Sequence, residues 1–265
     1  MHDVHFYFFL FVLKLIERVK KMKILSLNLH CFKEENRIEK LDKIADFIVE
    51  NDIDVCIFQE VAQLQEELII KDTIKNGNNA YHIAEKTKYF VAFHPVKVGF
   101  GILDEGLAFV SKYPITNPYA GIISKEKDYN KWYKRDYFSV NINGINFYNV
   151  HIGWDCFGED GMDQIKNLIA NIKEGGLTFI GGDFNYSDDS NEIQYLKKYF
   201  YSLSDIANFD SFKNPTFHFE LDNNSNSINK MIDFIFCNQQ IELKDFKIVF
   251  NTDYVSDHSG IFCEI

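Results

Sequence analysis

The residues best able to do chemistry lie in Phe179-Ile180-Gly181-Gly182-Asp183-Phe184-Asn185. An apolar run, Leu177 to Ile180, reads as a short buried strand, and two glycines end it, allowing a sharp turn or a close approach. In extended backbone Asp183 and Asn185 share one side while Phe184 points into the core. A carboxylate beside a carboxamide at a strand's carboxyl end suits the holding of a water or of a cation's oxygen shell. The plainer reading is an Asx-type turn, in which both side chains only bond local backbone.

Other polar residues stand at comparable places. Glu60 follows the apolar run Asp54 to Phe58. Hard cations want carboxylate oxygen, and Mg²⁺ often takes only one or two from protein. A helix N-terminal glutamate favoured by the macrodipole is the structural alternative. Asn28 closes Lys23 to Leu29 and would face Glu60 across a parallel pair, able to bind the metal or a phosphate oxygen. His151 ends a strand, and Asp257-His258 is bracketed by Ser256 and Ser259. Asp233 sits inside the apolar run Met231 to Phe236. A buried aspartate is costly unless paired, and His258 is its natural partner, the carboxylate orienting and charging the imidazole. No G-x-S-x-G elbow, P-loop or dinucleotide fingerprint is present.

The elements that must position these groups follow from periodicity. Lys23 to Leu29 reads as a strand, Asn36 to Asn51 as an amphipathic helix, and Asp54 to Phe58 as a central strand buried on both faces. This β-α-β opening predicts parallel pairing, with Asn28 and Glu60 at one end of a sheet. Val61 to Lys75 and Asn79 to Lys88 read as helices, Val91 to Gly106 as strand and loop, and Leu107 to Ser111 as a strand. Ser124 to Arg135 is a long polar loop. Tyr137 to Ile142 and Ile145 to His151, joined by Asn143-Gly144, carry the strongest short-range hairpin signal. Met162 to Lys173 and Glu192 to Lys198 read as helices. Ile232 to Cys237, Phe246 to Phe250 and Gly260 to Ile265 are late strands.

The 265 residues, 46% hydrophobic, fit one large domain over 22–265. Five scattered cysteines with no CxxC pair indicate neither a disulfide framework nor a zinc site, and fit a reducing cytoplasm. Val4 to Leu13 is apolar but too short to span a bilayer, which takes ~20 residues, and it lacks a signal-peptide pattern. Met22 is read as the natural start and residues 1–21 as an upstream extension. An amphipathic segment on a membrane surface is the second reading, and no stable membrane association is expected.

In order along the chain stand SLNLH at 26–30, FQE at 58–60, SKYPI at 111–115, Arg135, NVHIG at 149–153, GGDFN at 181–185, IDFIF at 232–236 and SDH at 256–258. This series resembles the endonuclease/exonuclease/phosphatase superfamily. The resemblance implies a DNase I-like, four-layer α/β sandwich of two packed mixed sheets with helices outside. It implies that Glu60 binds a catalytic Mg²⁺ or Mn²⁺, that Asn28 supports it and that Asp257 lies beside it. It further implies that Asp183 positions or deprotonates the attacking water and that Asn185 contacts the phosphoryl group. His151 and His258 would bind phosphoryl oxygens, Asp233 would pair with His258, and Arg135 would contact phosphate.

A narrower likeness, to the bacterial maltose 6'-phosphate phosphatase group, rests on three stretches. These are Asp104-Glu105-Gly106-Leu107-Ala108, Asp128-Tyr129-Asn130-Lys131-Trp132 with Arg135, and His151-Ile152-Gly153-Trp154; Asp155 and Cys156 depart from it. Trp132 and Trp154, the only tryptophans, fall in loops beside matched site residues, and with Tyr129 they suit a sugar face. Loop anchors packed on the core are the alternative for both. The expected activity is hydrolysis of a small phosphomonoester such as a sugar phosphate. Nucleic acid is the rival substrate, disfavoured by a net charge of -11. A sphingomyelinase and an inactive binding module rank lower.

Overall fold

The computed structural model describes residues 22–65, 77–173, 175–218 and 230–265. The extension read at 1–21 and most of the helix expected over Val61 to Lys75 lie outside the described residues. The elements run β1 (Lys23–Asn28), α1 (Arg37–Glu50), β2 (Val55–Leu64), α2 (Asn79–Thr87), β3 (Phe90–Gly99), β4 (Leu103–Ser111), β5 (Ile115–Ile122), β6 (Asp136–Ile142) and β7 (Ile145–His151). They continue with α3 (Gly161–Asn171), β8 (Thr178–Asp183), α4 (Asn191–Leu196), β9 (Tyr201–Ser202), α5 (Leu203–Ile206), β10 (Asp233–Cys237), β11 (Asp245–Val249) and β12 (Gly260–Glu264).

The strands form two six-stranded sheets, ordered β11-β12-β1-β2-β4-β3 and β5-β6-β7-β8-β10-β9. Each is built around one parallel pair, β1 with β2 and β7 with β8, flanked by antiparallel neighbours. Alternation along β1 explains the layering. Ile24 joins the core between the sheets, whereas Leu25 and Leu27 pack with Leu41, Ile44 and Ile48 of α1 and with Ile83 of α2. On the second sheet Ile165 and Leu168 of α3 and Ile193 and Leu196 of α4 are buried in the same way. The result is helices, sheet, sheet, helices. Truncating a fully buried Ile44 to alanine would cost about 2–5 kcal/mol.

Three sequence expectations change. The helix expected from Val61 does not begin there, because β2 continues through Gln59-Glu60 to Leu64 and pairs with Leu103 to Gly106 of β4. Ala, Gln and Leu favour a helix, but cross-strand pairing of the buried Val61 and Ala62 overrides that weak preference. A bulge between Phe58 and Val61 absorbs the irregularity. The two glycines do not end β8; the strand runs through them to Asp183. A Cβ on Gly182 would fall 2.0 Å from the Val150 carbonyl oxygen, so these glycines serve close approach rather than a turn. Last, β5 was not expected. It is an edge strand whose register shifts between Thr116 and Tyr119, around Pro118, a residue tolerated at edges and bulges.

Candidate active site

The carboxyl ends of the two parallel pairs meet. Asn28, at the end of β1, donates its amide nitrogen to Glu60 Oε1 at 3.1 Å and to Asp183 Oδ2 at 3.0 Å, crossing from one sheet to the other. Its amide oxygen accepts the His30 backbone N–H at 2.9 Å, which fixes which way the amide faces. Asn28 therefore steers both carboxylates with its nitrogen. Glu60 sits in the β2 bulge with φ of +47°, a left-handed backbone unusual for glutamate. Burial works against its charge, yet His151, Lys97, Asn28 and His30 outweigh that and hold its carboxyl down at about 2. Behind these groups the sheets are tied together by buried amides. Gln59 Nε2 donates to Asn149 Oδ1 at 2.8 Å, and Asn149 Nδ2 to the Phe58 and Ala108 carbonyls.

The second sheet supplies the imidazoles. Asp233 Oδ2 lies 2.9 Å from His258 Nδ1, with both side chains almost wholly buried, so the dyad expected from the sequence is present. Burial opposes charge on His258, but Asp233 and Asp183 overcome it and raise the imidazole to about 10. His151 goes the other way: burial and the Arg135 guanidinium push it well below its ordinary value. At neutral pH one ring is therefore cationic and the other neutral. Both aim Nε2 at the same Asp183 oxygen, from 3.6 Å for His151 and 3.7 Å for His258. Asp183 is raised to about 7, chiefly by burial and then by Asp233, against the pull of His258.

Asn185 is not in extended backbone: its φ is +57°. Its N–H donates to Asp183 Oδ1, so the Asx-type turn forms as well, and its side-chain nitrogen bonds the Ile152 carbonyl. It still reaches the wall of an open cleft of about 560 Å³ shared with Glu60, His151, Asp183, Asp257 and His258. Asp257, held through Ser256 Oγ and 3.4 Å from His30 Nδ1, is pushed up mainly by burial.

Trp132 and Trp154 also line this cleft and are 44% and 55% exposed, so neither is a core anchor. Trp132 meets Phe157 edge-on. Arg135 is buried beneath them; its Nη1 bonds the Trp132 and Lys134 carbonyls, while its Nε, also buried, has no hydrogen-bond partner. Tyr129 is not brought to the cleft wall with the tryptophans, because its hydroxyl donates to Asp104 at 2.8 Å. Sequence reasoning did not single out Lys97 or Phe100 and named Glu105 only within the stretch Asp104 to Ala108, without a role; all three line the cleft from the β3–β4 hairpin. A lysine and a glutamate at buried strand positions were the available signal, of the same kind as Asp233.

The donor set suits a hard divalent cation. Glu60, Glu105, Asp183 and Asp257 place four carboxylates on one cleft wall. Among the described residues, ligand atoms also converge in the groups His30-Glu34-Asp257 and Cys31-Glu60-Glu105. Glu60 and Asp257 fall in different groups, and both line the same cleft, with Asn28 bonded to Glu60.

No match is found among curated proteins. Among solved structures the chain is similar to an endonuclease/exonuclease/phosphatase family protein from Leptotrichia buccalis C-1013-b. The TM-score is 0.77 and the identity 28%, over 91% of this chain and 98% of that one. The endonuclease/exonuclease/phosphatase from Bacteroides vulgatus gives 0.66 at 15% identity, over 92% and 98%. Truncated TDP2 of Caenorhabditis elegans gives 0.64 at 16%, over 92% and 96%. The last two show the shared fold alone. The model of the Endonuclease/Exonuclease/phosphatase family matches residues 25–258, which span both sheets and every group described above, and the chain belongs to that family.

Proposed function

We propose that the protein is a metal-dependent hydrolase of small phosphomonoesters, with a sugar phosphate as the substrate class. One observation carries this reading. Asp183 is contacted by Asn28 and faced by two imidazoles, one cationic and one neutral, at the floor of a cleft whose mouth is lined by Trp132 and Trp154. Mg²⁺ or Mn²⁺, held by Glu60 with Asp257 nearby and Asn28 orienting the carboxylate, would neutralise charge on the phosphoryl oxygens.

The residues themselves account for the remainder. Asp183 near neutrality is poised to take the proton of an attacking water. The water oxygen bonds to phosphorus as the ester P–O bond breaks, and the departing alkoxide takes a proton, which the His258 imidazolium can supply. Asp233 keeps His258 charged and oriented. Asn185, His151 and Arg135 line the cleft and would receive the phosphoryl oxygens, so catalysis would be positioning and charge neutralisation. The exposed indoles present flat apolar faces to a sugar ring.

The test is turnover of maltose 6'-phosphate, glucose 6-phosphate and an abasic or nicked duplex at two salt concentrations, before and after EDTA. Hydrolysis of the sugar phosphates should vanish with chelation and return with Mg²⁺ or Mn²⁺. Faster duplex cleavage that collapses as salt rises would replace the sugar-phosphate reading with a nuclease one. Activity that persists through chelation would remove the metal.

A further inference from the structure

We propose that Lys97 is a substrate-contacting residue that, beside Arg135, selects the dianionic phosphoryl group of a monoester over the monoanion of a diester. The proposal rests on the phosphomonoesterase reading and names what makes the cleft selective. Lys97 on β3 and Glu105 on β4 are direct cross-strand partners. Lys97 Nζ lies 2.9 Å from Glu105 Oε1, and the side chains are only 9% and 8% exposed. Two charges buried in a hairpin are costly in desolvation, and such a pair is weak as a stabilising device. Its placement points to another use, because both residues line the same cleft as Asp183 and His258.

Lys97 lines the cleft together with Glu60, Arg135 and His151. Glu105 occupies one of the three donors of an ammonium group and is its one ion-pair partner among the described residues, so donors remain for the cleft. The second buried cation, Arg135, also lines this cleft. Two fixed cations therefore share one end of a cleft that the substrate enters. A terminal phosphoryl group brings three non-bridging oxygens and about −1.5 to −2 charges near neutral pH. A diester brings two such oxygens and one charge. Arg135 with Asn185 and His151 can serve the shared part, and Lys97 answers the additional oxygen and charge.

The experiment compares the full-length wild type with Lys97→Gln and Lys97→Arg, using p-nitrophenyl phosphate and bis(p-nitrophenyl) phosphate. Inorganic phosphate binding to the Mg²⁺-loaded protein is followed by calorimetry. Lys97→Gln should lower kcat/KM on the monoester and weaken phosphate binding by roughly 10- to 100-fold, the worth of a charge-assisted hydrogen bond. The diester rate should change by less than about 3-fold, and Lys97→Arg should recover most of the loss, because it restores the charge. Equal losses on both esters, or unchanged phosphate affinity, would overturn the proposal and leave Lys97 as a partner of Glu105. Should Lys97→Gln fail to fold because it leaves Glu105 unpaired, the double variant Lys97→Met with Glu105→Leu removes the pair together; its Mg²⁺ affinity is titrated first, because Glu105 is one of the cleft carboxylates, and phosphate binding is then scored at saturating Mg²⁺. A wild type that hydrolyses no phosphomonoester sinks the functional reading, while the titration still decides the role of Lys97.

Discussion

Glu60 and Asp183 occupy corresponding places in the two sheets. Each lies on the second strand of a parallel pair, each accepts a hydrogen bond from Asn28, and each faces the same cleft. Yet one is held at about 2 and the other is raised to about 7. Burial opposes ionisation of both, so the neighbours decide. Glu60 is held by His151, which carries charge only in acid, and by Lys97 and the Asn28 hydrogen bond, with no carboxylate among its main influences. Asp183 has His258 but also Asp233, the carboxylate that holds His258 in place. The first sheet thus keeps a permanent anion for a cation to bind, and the second keeps a carboxylate able to carry a proton. One architecture used twice yields two chemical roles because the charges around it differ.

If that division is right, removing the proton carrier should do the most damage. Asp183→Ala should lose at least ~10²-fold in kcat with the Mg²⁺ requirement little changed, and His258→Ala should match it. Stopped turnover assays on folded protein check this, and near-wild-type turnover would erase the distinction between the sheets. Glu60→Gln should act on the metal instead, raising the Mg²⁺ concentration for half-activation ~10-fold or more. Mn²⁺ titration followed by electron paramagnetic resonance reads this without turnover.

Asp233→Asn tests the charge on His258 directly. His258 is raised from 6.5 to about 10, so its protonated form is favoured in the fold. Stability from the pair is complete below 6.5 and fades as pH rises through about 10. Loss of the Asp233 charge should move the alkaline limb of the kcat/KM profile down by about one unit or more. An unmoved limb would mean that another group sets it. The smallest expected effect concerns the mouth. Trp154→Ala should raise KM for a sugar phosphate by about 3- to 10-fold, with little change on a phosphate ester lacking a ring, as for one lost aromatic contact. Phe100→Ala, on the first sheet's hairpin, asks whether that sheet contributes to sugar binding as well.

The buried strand β8, the His258–Asp233 pair and the Asn143-Gly144 hairpin were legible because each depends on local pattern or on one strong energetic demand. A carboxylate in an apolar strand needs a partner, and few residues can supply one. The continuation of β2 past Glu60 was not legible, since a bulge breaks the alternation where a helix-favouring run begins. Nor was the facing of the Asn28 amide, which the His30 backbone decides. Tyr129 shared its loop and its aromatic character with Trp132, but residue type does not reveal where a hydroxyl finds its acceptor. The Lys97–Glu105 pair was missed because strand pairing joins the two residues, and their register depends on a hairpin read only as strand and loop.

The bond from Asn28 to Asp183 spans 155 positions of chain. Neither sheet alone can assemble the site, and contacts so distant in sequence form only after long loops have closed, which slows folding. In refolding from denaturant, helical signal and the strand hairpins should return first. The proposed phosphatase activity should recover last, with the rate at which one sheet docks on the other.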